Sequence, residues 1–225
     1  MQQLDDDLWV VEAPQRFLGL SIGTRMSIVR LDDGRLWLCS PVPIDDELAG
    51  KLAELGPVGH LVAPNRFHHL YLAPAAKRYP DASAWLAPGL AKKRPELDSG
   101  ETLSSEPPAD WVGQIDQRVL EGVPMFNEVA FMHRASRSLI LTDHLFHLDD
   151  SCEGVTWGLG RMLGVRKAPG FPRDAKALFI RDRALLRKSI DDVLSWDFDR
   201  IVITHGRLIG GDGPGNLQRA YAQVC

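Results

Sequence analysis

Three turns in this chain hold side chains that could bind a metal ion, each directly after a strand-like run. Pro64-Asn65-Arg66-Phe67-His68-His69 follows the apolar run His60 to Ala63. Thr142-Asp143-His144 follows Ser138 to Leu141, and His205-Gly206 follows Arg200 to Thr204, with His147 just beyond the second. Sites in α/β proteins gather at such strand ends. Neutral imidazoles with one carboxylate form a ligand set suited to zinc or iron. Adjacent residues of a regular strand face opposite ways, so His68 and His69 converge only if they lie in a tight loop entering a helix. Residue types alone leave a structural alternative open, in which the two histidines are a capping pair and His205 is satisfied within its turn.

The elements that must position these turns follow from hydrophobic spacing. Leu8 to Val11, Leu18 to Ile22, Met26 to Leu31 and Leu36 to Cys39 are short apolar or alternating runs, and Asp32-Asp33-Gly34-Arg35 is a turn between the last two. Leu48, Leu52 and Leu55 fall on one helical face behind a cap at Asp45 or Asp46, and Gly56-Pro57 stops that helix. His69 to Tyr79 reads as a helix that Pro74 starts late or kinks. Ser83 to Leu86 reads as a strand, and Pro88 to Asp110, rich in Pro, Ser and charge, as a long loop with one helical turn. Arg118 to Leu120, Glu128 to His133 and Ser138 to Leu141 read as strands, with a hairpin turn over residues 134–137. Leu186, Ile190, Val193 and Leu194 make a helical stripe before the strand Arg200 to Thr204, and Leu217, Tyr221 and Val224 mark a final helix. Two β-rich halves, each finished by helices, imply an α/β protein with two packed sheets and helices outside.

Composition narrows the partners. A net charge of -4 and pI near 6.0 argue against a protein built to grip nucleic acid or an anionic membrane, while leaving room for a local basic patch. No apolar run approaches the ~20 residues that span a bilayer. The acidic start, Met1 to Asp7, lacks the features of an export signal. Cys39, Cys152 and Cys225 are far apart and odd in number. The expectation is therefore a cytoplasmic protein without a disulfide framework. Trp157, Arg161, Arg166 and Lys167, in the glycine-rich stretch Gly154 to Pro172, suit a flap over a site; packing against the second subunit of a homodimer explains them equally well. Gly210 to Gly215 could cradle an anion at the start of the last helix, but it lacks the Lys-Ser/Thr of a P-loop and reads as a turn.

The order of these motifs resembles the metallo-β-lactamase superfamily. Its signature is H-x-H-x-D-H after a strand, then a lone His, a bridging Asp and a final His. Leu61 to Ala76 (LVAPNRFHHLYLAPAA) is similar to the strand, signature loop and helix, and Val123 to Phe131 (VPMFNEVAF) to the segment of the lone His. Ser138 to Phe146 (SLILTDHLF) places Asp143 on the bridging aspartate, and Asp199 to Gly206 (DRIVITHG) places His205 on the last ligand. The resemblance runs from about Leu8 to Gly206. It implies one domain over residues 1–225, folded as a four-layer αββα sandwich of two mixed sheets.

The departures define the expected site. Pro64, Arg66 and Pro124 stand where the family holds its first metal, and neither proline nor arginine can ligate one. The resemblance thus implies at most one zinc or iron ion, held by His68, His69, Asp143 and His205. A one-residue slip of the loop would instead put Asn65, Phe67 and His69 on the first signature positions. Arg66 is expected to take over the charge of the missing metal and hold a carboxylate or phosphate oxygen of a small-molecule substrate. His68 or Asp143, detached from the ion, would act as base. The implied activity is hydrolysis of a small ester, lactone, thioester or phosphodiester; β-lactams are disfavoured without an export signal or a paired-metal site. The alternative is a non-catalytic relative that binds a small anion or a partner protein.

Overall fold

Short alternating runs separated by turns give the first half its strands. The computed structural model describes residues 1–17, 20–97, 99–148, 168–171 and 179–222. Its first part contains β1 (Gln2–Asp5), β2 (Leu8–Ala13), β3 (Arg16–Phe17), β4 (Leu20–Ser21), β5 (Thr24–Arg30) and β6 (Leu36–Cys39). Helix α1 (Asp46–Leu55), β7 (Val58–Ala63), α2 (Leu72–Arg78), β8 (Ser83–Leu86), α3 (Leu90–Lys93) and β9 (Glu101–Thr102) follow. The second part contains β10 (Ile115–Val119), β11 (Val129–His133), β12 (Ser138–His147), α4 (Arg183–Leu194), β13 (Arg200–Gly206) and α5 (Gly213–Tyr221).

The first sheet runs β1-β2-β5-β6-β7-β8-β9, antiparallel as far as β6 and parallel beyond it. The second runs β10-β11-β12-β13, with only its last pair parallel. Both sheets are mixed, and they pack face to face. Leu8, Val29, Trp37 and Val62 of the first meet Ile115, Phe131, Ile140 and Val202 of the second, with Trp111 fully buried among them. The outer face of the first sheet buries Leu52 of α1 and Leu72 of α2. The outer face of the second buries Leu186 and Ile190 of α4 and Leu217 of α5. These are the four layers of an αββα sandwich.

Capping fixes α1 as its sequence implies. The Asp45 carboxylate accepts from Leu48 N at 2.8 Å to start α1. Helix α2 starts late, at Leu72 and not His69, with Pro74 in its first turn, where its missing N–H has no partner to lose. The segment read as a long loop is more ordered, since α3, a 3₁₀ turn (Pro95–Leu97) and β9 lie within it and extend the first sheet by one strand. A two-residue strand carries too little alternation to register in a sequence window. Strand β12 runs six residues past Leu141, to His147, because β13 pairs with it again after a break in register. The stretch containing Trp157, Arg161, Arg166 and Lys167 lies outside the described residues. Among the described residues no helix is long and apolar enough to cross a membrane.

Candidate metal centre

The parallel strands of both sheets end at one side of the sandwich, and the break in β12 lies there. Leu141 pairs with Ile203 and Phe146 with His205, so residues 142–145 of β12 bulge out of the ladder. The bulge turns Asp143 out of its normal alternation and removes the ladder partners of the nearby N–H groups. Glu128, fully buried just before β11, supplies the replacement. Its carboxylate accepts from Thr142 N and Asp143 N at 2.7 Å and from His144 N at 3.1 Å. Burial, followed by the charge of Asp143, pushes the Glu128 carboxyl up to about 7 against the opposing hydrogen bonds.

Asn65, also fully buried, ties the first loop to this bulge. Its amide nitrogen lies 2.8 Å from both Thr142 Oγ1 and Asp143 Oδ2 and 3.2 Å from Glu128 Oε2. Its amide oxygen accepts from Phe67 N at 2.7 Å and His68 N at 2.9 Å, an Asx turn that fixes the loop before α2. Pro64 O accepts from Val129 N and Arg66 N donates to Phe126 O, so the loop is also bound to the second sheet through its backbone.

These restraints bring His68, Asp143 and His205 together. His68 Nε2 lies 3.1 Å from His205 Nε2 and 3.4 Å from Asp143 Oδ1, and His205 Nε2 lies 3.3 Å from the same oxygen. A tetrahedral ion with bonds of about 2.0–2.1 Å has ligand atoms about 3.3–3.4 Å apart, so the triangle matches one face of such a coordination sphere. Protonation agrees with the distances. His205 Nδ1 faces the Gly23 carbonyl at 2.9 Å, which can only accept, so that nitrogen carries the proton and Nε2 presents a lone pair. His68 Nδ1 meets the Ser40 hydroxyl at 2.8 Å, which can accept in the same way. Two imidazole nitrogens and a carboxylate oxygen at this spacing call for a cation among them, a proton on an imidazole when no metal is bound or a metal ion in its place. Burial, the largest single influence, raises the Asp143 carboxyl, but the charge and hydrogen bonds of His68 and His205 outweigh it and hold the group well below the usual carboxylate range. The donor set therefore fits a single metal ion.

His69 is not part of this group, which corrects the four-ligand expectation. Consecutive residues of the tight turn project to different sides. The His69 ring is buried, with Nδ1 3.1 Å from Arg94 Nη1. Burial, then Arg94 and Lys93, lower its pKa to about 4, leaving a neutral acceptor. Arg66 does not face the three donors either: its Nη1 donates to Pro124 O at 3.0 Å, and it lines a cavity that His68, Asp143 and His205 do not reach. His144 is a core residue, stacked on Tyr221 and bonded to its hydroxyl at 2.8 Å. Gly206 closes β13 with a φ of +93°, and a Cβ there would lie 2.0 Å from His147 O, so the residue after His205 must be glycine. Sequence reasoning missed Ser40, Glu128 and the amide of Asn65. The one signal was Glu128 itself, an acid at the head of an apolar strand.

The model of a family described as a domain of unknown function (DUF4336) matches residues 5–158. The chain belongs to the DUF4336 family. The matched stretch holds His68 and Asp143, and His205 lies beyond it. No curated protein matches this DUF4336 chain. Solved structures do match it over nearly its whole length. A metallo-beta-lactamase from Pontibacter korlensis is 14% identical, with a TM-score of 0.67 over 99% of this chain and 97% of that one. A metallo-beta-lactamase from Erythrobacter litoralis, solved with beta-mercaptoethanol in its active site, is 12% identical, with a TM-score of 0.64 over 99% and 95%. The metallo-beta-lactamase FIM-1 from Pseudomonas aeruginosa, solved in its mono-zinc form, is 10% identical, with a TM-score of 0.65 over 99% and 94%. At these identities the likeness is one of fold: this DUF4336 chain has the metallo-β-lactamase fold.

Proposed function

We infer that this DUF4336 protein is a hydrolase dependent on a single metal ion, acting on a small ester, lactone, thioester or phosphodiester. The observation that carries the reading is the triangle of possible ligand atoms from His68, Asp143 and His205, 3.1–3.4 Å on a side. Those three residues would hold the ion, and three ligands leave a tetrahedral ion one position for an exogenous group. When bound, such an ion supplies Lewis acidity, drawing electron density from a water or from the bond to be cut. The chain's own groups keep this arrangement in place. Gly23 O holds the proton of His205 on Nδ1, and Asn65 holds Asp143 Oδ2 so that Oδ1 faces the imidazoles. His68 has a route for a proton, because its Nδ1 meets the hydroxyl of Ser40, which can donate or accept.

Metal analysis and a zinc titration test the first half of the reading. The expected result is one ion per chain, with His205→Ala lowering affinity by more than about 100-fold. A panel of esters, lactones, thioesters and phosphodiesters tests the second half; no bound ion and no turnover would sink it. Low side-chain exposure, 9% at His68, 10% at Asp143 and 3% at His205, favours a second reading as a non-catalytic metal-binding relative. One bound ion with no turnover across the panel would select that alternative.

A further inference from the structure

Around Arg66 three cationic side chains gather beside one another. Arg66, Lys93 and Arg181 line a cavity of about 490 Å³, and Phe67, Pro124, Met125 and Phe179 complete its walls. No aspartate or glutamate lines it among the described residues. Elsewhere in the molecule arginines rest on carboxylates, as Arg30 does on Asp7 at 2.7 Å and Arg118 on Asp192 at 2.8 Å. Here two of the cations, Arg66 and Lys93, are held by main-chain carbonyls. Arg66 Nη1 donates to Pro124 O at 3.0 Å, and Lys93 Nζ donates to Arg66 O at 2.6 Å while standing 4.5 Å above the Phe67 ring. A carbonyl orients a cation but leaves its charge in place. Burial, and then the charges of Arg66 and Arg94, hold the Lys93 ammonium below its usual range, as expected where like charges crowd.

The apolar side of the cavity is equally well defined. Phe67 and Phe126 meet edge to face at 5.7 Å, and Phe126 meets Phe179 at 5.5 Å, so the aromatic wall is braced from behind. The cavity is open to solvent, with Lys93, Met125 and Arg181 exposed, so an anion with an apolar body can reach the cations and the wall together.

We propose that this cavity binds a phosphate monoester, its phosphate on Arg66, Lys93 and Arg181 and its aromatic or apolar body against Phe67, Met125 and Phe179. A phosphate monoester carries close to two negative charges near neutral pH, so it offsets more of the three cations than a carboxylate does, and guanidinium groups match its oxygens in pairs. The cavity adjoins the centre through a shared loop: the Asn65 side chain accepts from both Phe67 N, on the cavity side, and His68 N, on the metal side. His68, Asp143 and His205 do not line the cavity, so anion binding is separable from metal binding.

The test is calorimetric titration of the full chain with phenyl phosphate, first after EDTA treatment and again after zinc loading. Saturable binding with a Kd below about 1 mM is expected in both states. Benzoate should bind about tenfold more weakly, having one charge fewer. Arg66→Met and Arg181→Met should each weaken phenyl phosphate about tenfold, and His205→Ala should leave it unchanged. Arg181 comes from a different segment than the Asn65 loop, so its variant reports on the cavity even if Arg66→Met disturbs that loop. No binding up to about 5 mM would overturn the proposal. So would binding that survives both arginine substitutions or disappears in His205→Ala. The zinc stoichiometry of the same samples judges the metal centre separately, so failure of one reading is not failure of the other.

Discussion

The side chain of Asn65 holds the first loop to the second sheet. Its oxygen orders the backbone of Phe67 and His68 while its nitrogen fixes Asp143, so one amide sets the relative position of two donors. Asn65→Ala is therefore expected to weaken zinc binding by about 10–100-fold while all three donors remain. Competition with a chelating dye would measure it; unchanged affinity would mean that the backbone bonds of Pro64 and Arg66 position the loop unaided. At this scale the sequence is informative about residue type and poor on direction. His68 and His69 are chemically identical neighbours, and which of them turns inward depends on Arg94, 25 residues after His69, capturing one ring. Asn65 is a common turn residue, and nothing local marks its amide as the bridge to Asp143.

At the level of elements, the decisive feature is the bulge in β12 and the acid that stabilises it. Backbone N–H groups taken out of a buried ladder need acceptors, and the Glu128 carboxylate serves three of them. Glu128→Gln puts an amide nitrogen where one acceptor oxygen stood, setting donor against donor in a buried site. The expected loss is roughly 1–3 kcal/mol of stability, with a lower zinc affinity because Asp143 is no longer aimed at the imidazoles. Urea unfolding of the metal-free variant measures the first effect separately from the second. The sequence located most strands and helices from their period and capping residues, as with Asp45 and the stripe of α4. It placed the end of β12 at Leu141 because Thr-Asp-His reads as a turn. The strand resumes after that turn, an outcome decided by pairing with β13 some sixty residues later.

For the whole molecule, two sheets share a core of large aromatic and branched side chains, and several histidines are enclosed within it. Burial lowers the pKa of His60 and His133, and brings His144 to about 3; His69 lies at about 4. A neutral imidazole held below its unfolded value gains a proton only on unfolding, so its contribution to stability is lost as pH falls below about 6.5. Glu128 acts in the opposite sense: its raised pKa favours the folded state at low pH, and that contribution is lost as pH rises toward about 7. Among the described residues four such imidazoles oppose one such carboxyl, so the metal-free protein should unfold at a lower urea concentration at pH 5.5 than at pH 7.5. A midpoint that rises on acidification would contradict this burial pattern. The two-sheet architecture is legible because β-rich halves finished by helices leave few ways to bury both faces. The fit between the halves is less so, since it rests on contacts such as Arg25, whose buried guanidinium reaches from β5 to the carbonyls of Ile203 and Gly206.

The donor triangle spans the seam between the layers: His68 comes from a loop of the first sheet, and Asp143 and His205 from strands of the second. An ion seated there would act as a rivet through both sheets, and the chain could not open without giving it up. Thermal resistance would then track the logarithm of free zinc, and stripping the protein with a chelator would loosen the joint between the halves before either half melted.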